Sequence, residues 1–210
     1  MAHAFRRRPD GSLACRLDGE EKAIIAQVAQ ETAELIRGDL GIDSDADPLR
    51  RAAESEDPLR RLEAEFAGRD AREPADSAVK RLFPAASEDP TLAAEYRRLG
   101  QQDLADGKLA DLRRVMAILD ASGSEHSEVV LDDDDALAVL RALNDVRIVL
   151  ADRLDLQRDG DFDTVRMLQQ IGERVEGASE TDDDTVGSDI VIAVYELLSW
   201  LQESLLRALD

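Results

Sequence analysis

The chain has 210 residues, 43% of them hydrophobic, so it is long and apolar enough to fold around a core of its own. Aromatics reach only 3% while Ala and Leu are abundant, which favours helices packed through aliphatic side chains over a β-sandwich or an aromatic-lined ligand pocket. Forty-seven acidic residues against 26 basic ones give a net charge of -21, a field that repels nucleic acid and anionic lipid at long range.

The first element expected in chain order is a β-hairpin over residues 4–17. Its turn is Pro9-Asp10-Gly11, with proline presetting φ and glycine supplying the left-handed residue of a three-residue loop. That loop places Arg7 opposite Leu13 and Phe5 opposite Cys15. Phe5, Leu13, Cys15 and Leu17 then share the inward face, and Arg6, Arg8 and Arg16 the outward one. Asp18 caps a helix that runs to about Gly41, with Ile24, Ile25, Val28, Leu35 and Ile36 as its apolar stripe. Residues 42–76 turn to Asp, Glu, Arg, Ala and Pro, and the near-duplicates DPLRRAAESE and DPLRRLEAEF mark an insertion, short-helical or disordered.

A short VKRLFP helix follows, and then Asp89-Pro90 opens a helix through Leu92, Tyr96 and Leu99 that Gly107 is expected to break or bend. Leu109, Leu112, Val115, Met116 and Leu119 continue at helical spacing, and an extended piece spans Val129 to Leu131. The run Asp132 to Asp135 precedes a long helix with Ala136, Val139, Leu140, Leu143, Val146 and Leu150 on one face, ending near Leu154 or Leu156. Residues 157–187 read as a second acidic insertion. From about Ser188 to Leu209 the last helix is apolar nearly all round, as suits the centre of a bundle or an interface. The expected fold class is mainly α: one domain over residues 1–210, a helical bundle with a small N-terminal β-hairpin and two acidic insertions.

Few residue types for chemistry are present. One cysteine excludes an intrachain disulfide, and two histidines give neither a CxxC nor an HExxH spacing, so no zinc site and no cofactor is expected. Asp132 to Asp135 lack the glycine and distal glutamate of a calcium loop, and capping at a helix N-terminus explains them better than magnesium. Without an apolar run of signal-peptide or membrane-span length, the expected location is the cytoplasm.

Three groups remain as candidates. Cys15 is a candidate redox residue if its neighbours Arg7 and Arg16 favour the thiolate, and a small buried hydrophobe if the hairpin register holds. Arg6, Arg8 and Arg16 form a small basic patch that either holds phosphates or a partner, or pairs with the protein's own carboxylates such as Glu20 and Glu21. Asn144, Asp145 and Arg147 on one helix and Gln202 and Glu203 on the other suit an interhelical polar network, with Arg147 bridging to Glu203. No nucleophile and base stand together, and no enzymatic activity is expected.

The segments FRRRPDGSLACRLDGEE, DLADGKLADLRRVMAILD, VVLDDDDALAVLRALNDVRIVLADRL and YELLSWLQESLLRAL occur in an order that resembles the AosR-like oxidative-stress transcriptional regulators, an actinobacterial family often encoded beside the ClpS protease adaptor. Neither acidic insertion takes part in the resemblance. It implies a non-enzymatic regulator that senses oxidation through cysteine and acts on transcription with a sigma factor, touching DNA only through that partner. The family's sensing uses an N-terminal cysteine pair, whereas this chain has Cys15 alone. It therefore either forms an intermolecular disulfide or lacks the redox step. An adaptor for Clp-type proteolysis is the alternative role, a structural or interaction protein a third, and a homodimer is left open.

Overall fold

The computed structural model describes residues 3–42, 57, 71–123, 128–156 and 183–210. Among these, the elements are β1 (His3–Arg7), β2 (Leu13–Arg16), α1 (Gly19–Leu40), α2 (Ser77–Leu82), α3 (Pro90–Ala121), β3 (Glu128–Leu131), α4 (Asp133–Arg153) and α5 (Asp183–Leu209). The fold is mainly α-helical with a small antiparallel sheet of order β1-β2-β3. Most of the expected insertions, 43–56, 58–70 and 157–182, lies outside the described residues. The second was expected to reach residue 187, but α5 already begins at Asp183.

Local chemistry accounts for the hairpin. Gly11 donates its N–H to the Arg8 carbonyl, Arg8 donates back to Ser12, and Gly11 takes a φ of 88° that a residue with a Cβ resists. Arg7 faces Leu13 as expected. The ladder then slips between His3 and Arg6, and the bulge leaves His3 opposite Arg16. Phe5, Leu13, Cys15 and Leu17 all enter the core. β3 adds to the free side of β2, setting Cys15 opposite Val129 and Arg16 opposite Glu128.

Asp18 caps α1 in a full capping box with Glu21, and Gly41 closes the helix in the left-handed region at φ 69°. The buried face of α1 is Ile25, Ala29, Ala33, Ile36 and Leu40, so two alanines let neighbouring helices approach where the expected stripe held only large residues. Ile24, placed on that stripe, lies at its solvent-facing edge.

Gly107 does not break its helix: α3 is continuous over 32 residues. The reason is arithmetic. A helical glycine costs about 1 kcal/mol, and the strong helix formers around it, with the buried row Ala105, Leu109, Leu112, Val115 and Leu119, outweigh that.

The central helix is α4, which touches α1, α2, α3, α5 and β3. Asp132 caps it by accepting from the Asp135 N–H, and Asp133, Asp134 and Asp135 fill its first turn. The last helix, α5, packs against α4 and β1 through Val194, Leu198, Leu201 and Leu205. Though apolar nearly all round, it is not enclosed on every side, because Ile190, Trp200 and Leu206 are exposed. No helix among the described residues is long and apolar enough to cross a membrane.

Candidate functional site

Three of the four arginines at the opening of the chain, Arg7, Arg8 and Arg16, are committed within the protein. Arg8 and Arg16 both pair with Glu128 of β3, so Glu128 is the partner where Glu20 and Glu21 were expected. The register explains this, because β3 sets Glu128 directly opposite Arg16. The Arg8 hydrogen bond, above all, holds the Glu128 carboxyl below its usual range. Arg7 reaches the other way and donates to the carbonyls of Ala208 and Leu209, capping the C-terminus of α5. Arg6 stays exposed on the outer sheet face.

Cys15 is 3% exposed. Burial pushes its thiol up to about 12, away from the thiolate that redox chemistry and metal ligation need. Its neighbours Leu13, Leu17 and Val129 are apolar, and Arg7 is turned to the α5 terminus.

The interhelical polar residues fall into two groups. Arg147 crosses from α4 to α5, where it donates to Ser199 Oγ at 2.8 Å, to Gln202 Oε1 and to the Tyr195 hydroxyl at 3.3 Å, with its guanidinium 5.1 Å from the centre of the Tyr195 ring. The expected Arg147–Glu203 bridge does not form. Glu203, one residue past Gln202 and so about 100° further round α5, pairs with Arg207. Tyr195, Ser199, Gln202 and Leu206 lie at spacings of four, three and four, one stripe on the α4 side of the helix.

Asp145 looks instead to α3, where Lys108 Nζ donates to it at 2.7 Å. Its carboxyl is raised by burial, a cost that the Lys108 bond offsets only in part. Next to this pair, Arg141 grips Asp111 through two bonds of 2.6 and 2.8 Å. The sequence reading did not single out Lys108, Asp111 or Arg141. Opposite charges at matched helical spacing, 108 and 111 against 145 and 141, were the signal for an antiparallel pair.

These residues line a cleft of about 500 Å³ between α3, α4 and α5, whose walls add Asp103, Leu104, Leu140, Asn144, Gln202 and Leu206. Asn144 stands exposed at its rim. A second groove of about 270 Å³ runs between α3 and the loop after α2, lined by Phe83, Pro84, Ala93, Tyr96, Arg97 and Gln101. Leu104 belongs to both. Beside them the first turns of α3 carry apolar side chains in water: Leu92 is 52% exposed, Tyr96 55%, Leu99 62% and Leu104 46%. Among the described residues, no group of three or more His, Cys, Asp or Glu side chains could hold a metal ion.

Fold and site together define an acidic, mainly helical protein with ion pairs between its central helices and a groove along one of them. The chain belongs to the family described as domain of unknown function DUF2017, which it matches over residues 2–209. No curated protein and no solved structure matches it.

Proposed function

We propose that the protein is a non-enzymatic cytoplasmic regulator that works by protein contact, in the manner of the AosR-like oxidative-stress transcriptional regulators its sequence resembles. The observation that carries this reading is the row Leu92, Tyr96 and Leu99, exposed along one helix, of which Tyr96 also lines the neighbouring groove. Scattered apolar residues on a surface need no explanation, whereas a contiguous row beside a groove marks a contact site. A sigma factor is the partner class the resemblance points to. Its DNA-binding surfaces are basic, and a net charge of -21 would steer it in.

This reading gives Cys15 a packing role and no redox step. It routes any effect on DNA through the partner, because Arg7, Arg8 and Arg16 are already engaged. A pull-down with the intact protein from oxidised and unoxidised lysate, read by mass spectrometry, tests it. The expected result is one transcription component recovered equally from both lysates. Recovery of a Clp protease component would replace the regulator with the adaptor, and oxidant-dependent recovery through a mixed disulfide would restore Cys15 as a sensor.

A further inference from the structure

We infer that the groove between α3 and the loop after α2 is a binding site for a small carboxylic acid with an apolar body, held as the carboxylate by Arg97. The site stands apart from the contact-based function proposed above, which needs no ligand.

Chain chemistry makes the groove. Pro84 lacks an N–H and disfavours helical backbone at Phe83, so α2 stops at Leu82. Asp89 and Pro90 then start α3, with the Asp89 carboxylate accepting from the Thr91 and Leu92 N–H groups. The segment between the two helices sets Phe83, Pro84, Ala85 and Ala86 against one face of α3. That face carries Ala93, Tyr96, Arg97, Gly100, Gln101 and Leu104, in alternating steps of three and one, and follows the helix for about 16 Å. Nothing lies within 4 Å of a Cβ built at Gly100, so the middle of the wall is open.

Two features choose the ligand. The lining is mainly apolar, with Phe83 and Ala93 buried and Tyr96 exposed at its edge. Its one charged side chain is Arg97, which is half-buried and has no carboxylate or hydrogen-bond partner among the described residues. Other cations of these helices are held: Arg98 by Glu95, Lys108 by Asp145 and Arg141 by Asp111. In a chain with 47 acidic residues, Arg97 thus keeps a planar fork of donors open inside a groove.

A carboxylate matches that fork through two parallel hydrogen bonds, and a single cation calls for a single negative charge. The apolar walls call for a hydrocarbon body behind it. At about 270 Å³ the groove falls below the usual range of drug-sized pockets, so the acid is a small one. The net charge of -21 opposes anions at long range, but at about 0.1 M salt exposed charges beyond about 10 Å are screened and the adjoining guanidinium decides.

The probe is phenylacetate, titrated at neutral pH into the isotope-labelled full chain and followed by amide NMR. Phenylacetamide keeps the body without the charge, and acetate the charge without the body. Phenylacetate should shift amides of residues 83–86 and 93–104 and bind at least about tenfold more tightly than either control. Arg97→Gln should weaken it at least about tenfold, with Arg97→Lys in between because lysine keeps the charge and loses the fork. Gly100→Leu should fill the groove and block binding. Leucine favours a helix and meets no atom there, so this variant's melting curve should hold, and it carries the test should Arg97→Gln melt lower.

Equal binding of phenylacetamide would remove the role of Arg97, and equal binding of acetate that of the apolar walls; either overturns the assignment. So would full binding by Arg97→Gln or by Gly100→Leu. Shifts confined to the cleft between α3, α4 and α5, or no saturable shift with phenylacetate, would overturn it as well.

Discussion

Cys15 sits between Leu13 and Leu17 on the inward face of β2, where ionising it would strand a thiolate away from water. The native thiol should therefore react far more slowly with an aromatic disulfide reagent than a free peptide thiol does, and labelling at the peptide rate would mean that β2 is not packed as described. The pH dependence has a definite sign. With the folded thiol pushed from 9.0 to about 12, the unfolded chain gives up its proton first, so this residue's contribution to stability falls as pH rises from 9.0 towards 12. Urea unfolding at pH 8 and pH 10.5 should show a smaller alkaline loss for Cys15→Ala than for the native chain. The Lys108–Asp145 pair makes an asymmetric prediction. Lys108→Met leaves a desolvated carboxylate without its cation and should cost about 3–5 kcal/mol. Asp145→Asn should cost less in the same urea titration, because burial already disfavours the charge that the substitution removes.

At the scale of elements, what could be read from the sequence was what neighbouring residues decide. Asp18 and Glu21 form a capping box, Gly41 takes a left-handed conformation, and Pro9-Asp10-Gly11 sets a turn, each within a few residues of chain. What could not be read depended on distant segments. Glu128 captures Arg8 and Arg16 only because β3 joins β2, and Arg147 finds Ser199 and Gln202 in place of Glu203 only through the rotation of α5 against α4. Leu92, Tyr96 and Leu99 repeat at helical spacing but lie about half a turn round α3 from the buried Leu112 and Leu119, so their periodicity marks an outward stripe and not the core. Gly107 was the misleading residue, a helix breaker by type held in a helix by its neighbours. Because nothing lies within 4 Å of a Cβ built there, Gly107→Ala should stabilise the protein by about 0.4–1 kcal/mol, whereas Gly41→Ala, at φ 69°, should destabilise it. Thermal melts of the two variants should shift in opposite directions, and a shared direction would refute either the continuity of α3 or the left-handed cap.

Over the whole molecule, a net charge of -21 is set against one small cluster of arginines at the opening of the chain. Arg8 and Arg16 share Glu128, and Arg7 caps α5, so that of the three exposed arginines Arg6, Arg7 and Arg16 two are already engaged within the protein. Each phosphate a protein neutralises contributes about -0.9 to the slope of log affinity against log salt, so a surface offering one or two contacts holds duplex DNA too weakly to matter at physiological salt. The proposed function has the protein reach DNA only through a partner, and that is the central claim. The measurement that tests it most directly is a salt-titrated anisotropy assay on labelled promoter DNA, with the purified protein alone and then with the transcription component recovered in the pull-down. The proposed function predicts no binding by the protein alone at physiological salt and a larger complex only when the partner is present; tight, sequence-specific binding by the protein alone would contradict it.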